Sequence, residues 1–412
     1  MQRDVWGILS QLPKTLDGTY ERVLRNIHED NKEHARRLLH CIAVAVRPLR
    51  VEELAEILTF DFDAAEGDIP EYHANWRWKD QEEAVLSTCS SLITIAEDGF
   101  WRRRVVQFSH FSVKEFLMSN RLATPIRDVS RYHILPEPAH TILAQACLGF
   151  LLHLDAHINT ENVENFPLAQ YAAEHWIAHA QFQDVASHVK YGMRDLFDPH
   201  KSHFALWVGM HDVDRFTPYD SGFYYSEKSE LSDSRPYASK RIQPTPLYYS
   251  ARCGLSDLAE YLSIKFPQHI NAIGGPYDFP LVASLSQSHF SVAERLLEHG
   301  GNVGVRGTGG RSPLHILLDF RRYPYPEDDE DWDNRGVQFL LEHGADVNAL
   351  DQAHNTPLHL VVFQESVSTT RILLEHGADP NLRNKDGKTP LHVLSKRHIR
   401  ETGRFAMVSD RL

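Results

Sequence analysis

Three groupings in this sequence have residue types and spacings that could do chemistry. Glu174-His175 followed by His179 puts two imidazoles four apart on one helical face, as in a zinc-binding helix. The order is Glu-His-x-x-x-His and not His-Glu-x-x-His, so the metalloprotease signature fails and packing against Trp176 is the better reading. Gly387-Lys388-Thr389 ends as a phosphate-binding loop ends, but it lies in a Thr-Pro-Leu-His context and the earlier glycine of Gly-x-x-x-x-Gly-Lys-Ser/Thr is missing. Arg102-Arg103-Arg104 is a basic run whose alternation along a strand would split it between two faces. Cys41, Cys89, Cys147 and Cys253 are dispersed with no Cys-x-x-Cys pair, which argues against a zinc site or disulfide framework and for an intracellular protein. No Ser-His-Asp, Cys-His or paired-carboxylate spacing singles itself out. The expectation is no catalytic residue, no metal, no cofactor and no enzymatic activity.

The 25 histidines would otherwise suggest metal binding. Six of them fall on two fixed positions of a repeat. Ser312-Pro313-Leu314-His315, Asn355-Thr356-Pro357-Leu358-His359 and Lys388-Thr389-Pro390-Leu391-His392 are near copies, with fainter ones at Thr245-Pro246-Leu247-Tyr248 and Phe279-Pro280-Leu281. Their prolines are spaced 34, 33, 44 and 33. His299, His343 and His376 recur in a Leu-Leu-Glu-His-Gly motif seventeen or more residues downstream. A period near 33 carrying Thr-Pro-Leu-His is the signature of ankyrin repeats. The types make mechanical sense. Thr356 can cap a helix with its hydroxyl, and Pro357 suits the first helical position. Gly377 can end the second helix in the left-handed conformation, and Asp379 and Asn381 suit a turn. Such histidines are expected to be structural, bonding to neighbouring turns.

The elements ahead of the repeats read as follows. Residues 15–27 form a helix with Tyr20, Val23, Leu24 and Ile27 on one face. Asn31 can cap a second helix burying Ala35, Leu38, Leu39, Ile42 and Val46, which Pro48 breaks. Val51 to Leu58 is a short helix, residues 60–80 a polar loop, and Glu82 to Ser90 a third helix. Leu92 to Ala96, a turn at Glu97-Asp98-Gly99 and Trp101 to Phe108 make a hairpin, followed by a helix from Phe111. Helices then bounded by a short wing give a winged-helix arrangement. Residues 136–153 and 167–180 are two further helices around a polar turn at 159–165. Residues 184–196 and 203–210 complete a helical array. The predicted organisation is mostly α: a helical segment plus winged helix at 1–123, an α-helical spacer at 124–210, a linker at 211–242 and about five ankyrin repeats at 243–412. An acidic insertion at 323–333 falls between the helices of the third repeat and reads as a solvated loop, with a docking loop for a basic partner as the alternative.

Four motifs carry a family resemblance: Leu12-Pro13-Lys14-Thr15-Leu16-Asp17-Gly18-Thr19-Tyr20, Arg47-Pro48-Leu49-Arg50-Val51-Glu52-Glu53-Leu54, Phe108-Ser109-His110-Phe111-Ser112-Val113-Lys114-Glu115-Phe116, and Pro167-Leu168-Ala169-Gln170-Tyr171-Ala172-Ala173-Glu174-His175-Trp176. In this order, ahead of ankyrin repeats, they resemble fungal signalling ATPases of the NACHT type. The resemblance implies the sensor half of a self/non-self or innate-immunity switch, whose nucleotide-binding core would lie upstream or on another chain. No Gly-x-x-x-x-Gly-Lys-Ser/Thr is present, so no ATP hydrolysis is expected of this chain alone. The resemblance also implies one nucleotide-sensing position. His110 stands where related ATPases place a histidine against the bound nucleotide's phosphate, although Phe111 replaces the aspartate that often follows. A helix-capping or core histidine is the competing reading.

Composition bounds the remaining possibilities. A net charge of −13 disfavours nonspecific nucleic-acid or anionic-membrane binding. The third helix, which would enter a DNA major groove, carries Glu82 and Glu83 and no basic residue. No run approaches the roughly 18 apolar residues of a membrane helix, and the first residues do not read as a signal peptide, so a cytoplasmic location is expected. The expected function is protein binding on the concave face formed by hairpin tips and first helices. The tip residues Arg306, Thr308, Ala353, His354, Asn384, Lys385 and Asp386 are the candidate contact surface.

Overall fold

The computed structural model describes residues 15–62, 69–98, 103–123, 128–154, 166–211, 213–214, 243–319, 330–363 and 366–393. The chain divides into two compact units, Met1–Asp212 and Val213–Leu412. No helix among the described residues is long and apolar enough to cross a membrane.

The first unit begins with α1 (Leu16–Arg25), capped by the Thr15 hydroxyl, which accepts from Gly18 N–H at 3.1 Å. α2 (Lys32–Val44) buries Ala35, Leu38, Leu39 and Cys41. Asn31 makes no side-chain cap, because a single 3-10 turn, Glu29–Asn31, leads into this helix instead. Val46 is 54% exposed, since α2 ends at Val44 and the chain turns away before Pro48. α3 (Val51–Ile57) and α4 (Gln81–Cys89) complete the three-helix core. Between them the sequence suggested only a loop. The structure has a two-residue ladder there, β1 (Phe60–Asp61) paired with β2 (Glu71–Tyr72), with Tyr72 buried.

The wing is β3 (Ile93–Glu97) antiparallel to β4 (Arg104–Phe108), in register from Ile93 opposite Phe108 to Glu97 opposite Arg104. Val106 N–H donates to Leu49 O at 2.8 Å, so the segment ahead of α3 adds a third line to the wing. α5 (Phe111–Leu117) follows, burying Val113, Phe116 and Leu117.

The same unit continues with α6 (Pro136–His153) and α7 (Pro167–Ala180), each starting with proline at its first turn, where no N–H is needed. They pack on each other and on α2 and α3, so winged helix and spacer share one core. Gly149 on α6 shows how tightly. A Cβ there would lie 2.9 Å from Pro70 O and 3.0 Å from the Phe60 ring, so only glycine lets the β1–β2 hairpin sit on this helix. Trp207, on the last helix of the unit, α8 (Ser202–Met210), donates from its indole to Ala173 O at 3.0 Å and stacks edge-on against Trp176.

The second unit is a ladder of helix pairs: α9 (Pro246–Arg252) with α10 (Ser256–Lys265), α11 (Pro280–Leu285) with α12 (Phe290–Glu298), α13 (Pro313–Asp319) with α14 (Glu330–Glu342), and α15 (Pro357–Phe363) with α16 (Val367–Glu375). A fifth first helix starts at residue 390. Leu247, Leu281, Leu314 and Leu358, at the Leu of the first four Thr-Pro-Leu-His positions, are all buried, whereas Leu391 of the fifth is 71% exposed. Each of the buried four contributes roughly 1.5–3 kcal/mol by leaving water. Asp214, in the stretch read as linker, is buried and accepts from Arg252 Nε at 3.2 Å, so this part of the stretch is docked on the first repeat. Residues 330–333, read as the end of the acidic insertion, belong to the first turn of α14; residues 323–329, like a second helix at 401–409, lie outside the described residues.

Candidate protein-binding face and the helix-capping histidine

Two recurring histidine positions, filled in the later repeats, build the frame that carries the tips. They do so with opposite proton assignments. In the Thr-Pro-Leu-His position the ring Nδ1 accepts: from Ser312 N–H at 3.3 Å for His315 and from Thr356 N–H at 3.1 Å for His359. The Nε2–H then donates to the next repeat's hairpin, to Asn355 O at 2.9 Å and to Lys388 O at 3.1 Å. In the Leu-Leu-Glu-His-Gly position the Nδ1–H donates backward to the carbonyl four residues earlier. His299 bonds Arg295 O, His343 bonds Phe339 O and His376 bonds Ile372 O, each at 2.8 Å. The bridging rings are buried, and burial holds both below the usual imidazole range, His315 at about 4.

This corrects one expectation. The Thr356 hydroxyl bonds His359 Nδ1 at 2.9 Å and not a backbone N–H of the helix, and Ser312 does the same to His315 at 2.7 Å. The hydroxyl caps the helix directly only in the first repeat, where Tyr248 stands at the histidine position and Thr245 accepts from Tyr248 N–H at 3.2 Å. A ring acceptor placed beside the hydroxyl captures its proton. Gly377, at φ 86°, does end α16, with Ala378 N–H returning to Leu373 O at 2.9 Å.

The hairpin tips are tied to one another through their backbones. Gln352 N–H donates to Gly309 O at 2.9 Å and Lys385 N–H to Ala353 O at 3.0 Å. Of the predicted contact residues, Arg306, Ala353, His354, Lys385 and Asp386 are exposed on this edge. Asn384 is not a surface residue. It is 7% exposed, donates to Asn355 Oδ1 and accepts from Asp386 and Lys388 N–H, so it builds the tip. Thr308 is half-buried and committed to Asp278, which accepts from its N–H at 2.8 Å and its hydroxyl at 3.0 Å. The first helices contribute less surface than expected: every residue of α11, and α13 from Pro313 to Leu318, is buried.

His110 sits at the junction of wing and α5. Its Nδ1 accepts from Ser112 N–H at 3.2 Å and lies 2.7 Å from the Ser112 hydroxyl, which in turn lies 2.7 Å from Tyr20 OH. The histidine therefore caps α5 and ties it to α1, and its ring lies 4.3 Å from that of Phe111, which is 68% exposed.

The recognised motifs converge on a buried polar network. Glu53 is 0% exposed and accepts from Arg47 through two bonds, from Arg50 Nε at 2.8 Å and from Arg50 N–H at 2.7 Å. Burial opposes its ionisation, but these bonds outweigh it and hold the carboxyl below its usual range. Arg50 also donates to Pro167 O, Arg47 lies over the Tyr171 ring, and Tyr171 OH accepts from Val46 N–H. His179 bonds Tyr171 OH through Nε2 and His140 through Nδ1, each at 2.9 Å. Burial, with the neighbouring histidines, pushes it down to about 3. Both its nitrogens are thus occupied by protein partners, and His175 lies half-buried against Tyr171. Among the described residues no three His, Cys, Asp or Glu side chains gather as a metal site. On the wing, Arg104 is ion-paired to Glu82 of the third helix, while Arg102 lies outside the described residues.

Comparison with known proteins agrees with this architecture. Residues 20–126 match the family described as GPI inositol-deacylase, winged helix domain, and residues 331–405 match ankyrin repeats in three copies. The chain is 29% identical over 307 residues to azaphilone pigments biosynthesis cluster protein L of Monascus ruber, covering 72% of this chain and 61% of that protein. It is 26% identical over 204 residues to vegetative incompatibility protein HET-E-1 of Podospora anserina, covering 43% of this chain and 13% of that protein. The chain thus spans less than two thirds of either relative.

Proposed function

We propose that this chain is a protein-binding scaffold, the recognition part of a NACHT-type signalling system, located in the cytoplasm and without catalytic activity of its own. The observation that carries this reading is the row of exposed side chains on hairpin tips that are locked to one another by backbone bonds and stapled from beneath by histidines. A surface held in that way is pre-organised, so a partner loses little conformational entropy on it. The similarity to a vegetative incompatibility protein supports the signalling context. Affinity capture with the full chain from its native cells tests the reading. A stoichiometric protein partner that is lost when Ala353 and His354 are replaced by Glu is the expected result. Absence of any stoichiometric partner would refute it.

A second reading is that the chain is the regulatory part of a nucleotide-driven switch whose core lies upstream or on another chain. The junction favours it, because His110 is exposed beside Phe111, which is 68% exposed. If a chain with such a core restored binds ADP equally well after His110→Ala, this reading fails.

A further inference from the structure

The cations of the hairpin tips are not alike. Arg311 is neutralised by Asp319 at 2.8 Å and Lys388 by Asp386 at 2.9 Å. Arg306 and Arg383 are exposed and anchored to carbonyl oxygens instead: Arg306 Nη1 donates to Leu350 O of the next repeat at 3.1 Å, and Arg383 Nη1 donates to Gly387 O at 2.7 Å. A carbonyl orients a guanidinium without cancelling its charge, and each keeps donors facing solvent. Lys385, also exposed, shares the fifth tip with Arg383, at the end of the ladder that joins Gly309 to Gln352 and Ala353 to Lys385. Asp351, on this edge, has its carboxylate turned into its own hairpin, accepting from Asn355 N–H and Nδ2–H. A protein of net charge −13 thus carries an oriented basic edge across its third to fifth repeats.

We infer that this edge recognises an acidic, extended segment of a partner protein, laid across the tips with its carboxylates on Arg306, Arg383 and Lys385. The inference rests on the scaffold reading and names the partner's chemistry. Oriented guanidinium groups suit planar carboxylates. Nucleic acid fits less well: three cations neutralise few phosphates, the described tips at 306–310, 351–354 and 383–387 carry no Phe, Tyr or Trp to stack bases and only the His354 ring, and the remaining charge repels a polyanion.

Fluorescence anisotropy with the full chain at low salt decides the matter. The probes are a labelled twelve-residue peptide alternating Glu and Ser, the same peptide with Lys for Glu, and a thymidine 12-mer. The acidic peptide should bind at least tenfold more tightly than the other two. Binding should weaken as salt shortens the screening length. The triple reversal Arg306→Glu, Arg383→Glu, Lys385→Glu should lower it at least tenfold at unchanged melting temperature. Reversal of Lys79 and Lys114, on the other unit, should leave it unchanged. If the triple reversal does not fold, the Gln versions at the same positions should give a smaller loss in the same direction. Equal binding of acidic and basic peptides, preference for the oligonucleotide, or an unaffected triple variant would overturn the inference. A partner captured from native cells and retained by the triple variant would overturn it too while leaving the scaffold reading intact.

Discussion

Protonation of His315 should loosen the array locally, and the structure sets the size of the effect. The ring is fully buried, accepts from Ser312 N–H and donates to Asn355 O, so only the neutral form satisfies its partners. Its folded value of about 4 lies below the ordinary 6.5. Between those values the opened state binds a proton that the closed state refuses, so the contribution is complete above pH 6.5 and is lost as pH falls. At 1.36 kcal/mol per pH unit the ceiling, reached below pH 4, is about 3 kcal/mol, and at pH 5 the loss is about 2 kcal/mol. Hydrogen exchange of peptides covering residues 313–319 and 355–359, corrected for the intrinsic rate, reads this as a fall in protection of about twentyfold between pH 7 and pH 5. His315→Gln removes the titrating group. It should be less protected than wild type at pH 7, and the gap should narrow by about 2 kcal/mol at pH 5. A gap of constant width would refute the reasoning, because the pH dependence would then belong to other groups.

Three further outcomes follow from the same bonds. Glu53→Ala leaves Arg47 and Arg50 without their shared buried partner and should cost about 3–5 kcal/mol in urea unfolding of the first unit, whereas Glu52→Ala should stay within about 0.5 kcal/mol. Thr308→Val strands an oxygen of buried Asp278 and should cost about 1–3 kcal/mol, seen as faster exchange in the second and third repeats. Gly377→Ala forces a left-handed alanine at φ 86° and should lower stability by about 1–2 kcal/mol, measured by thermal unfolding against wild type.

Much of the architecture was legible because it rests on short-range rules. Proline at the first helical turn, glycine after the last and a recurring Leu mark a repeat in any context, and they located the helix pairs here. Pro136 and Pro167 marked two long helices in the same way. The contacts that matter for binding were less legible. A turn position makes Asn384 read as an exposed tip side chain, yet its amide meets Asn355 across 29 residues, a pairing that no local pattern encodes. The Glu53 network joins residues 117 apart through Arg50 and Pro167. Its only trace in the sequence was two arginines flanking a proline in a motif recognised by resemblance. Two-residue strands have no periodicity to read, so the β1–β2 pair is not legible in the sequence, although a glycine inside a helix, here Gly149, is one sign of a close approach.

The staples between repeats are not uniform, and that has a mechanical consequence. Asn271 and Asn348 each reach into the following repeat, bonding Gly300 O with Asn302 N–H and Gly377 O with Asp379 N–H. At the equivalent position of the second repeat stands Gly304, and Val282 stands where the bridging histidine belongs. The second and third repeats therefore lack both staples and are joined between their tips by the Asp278–Thr308 clasp. Under load or thermal agitation the ladder should crease at that seam first, separating a stiff pair from the stapled block that bears the basic edge. A ligand gripping only the later tips could then pivot without disturbing the first two repeats.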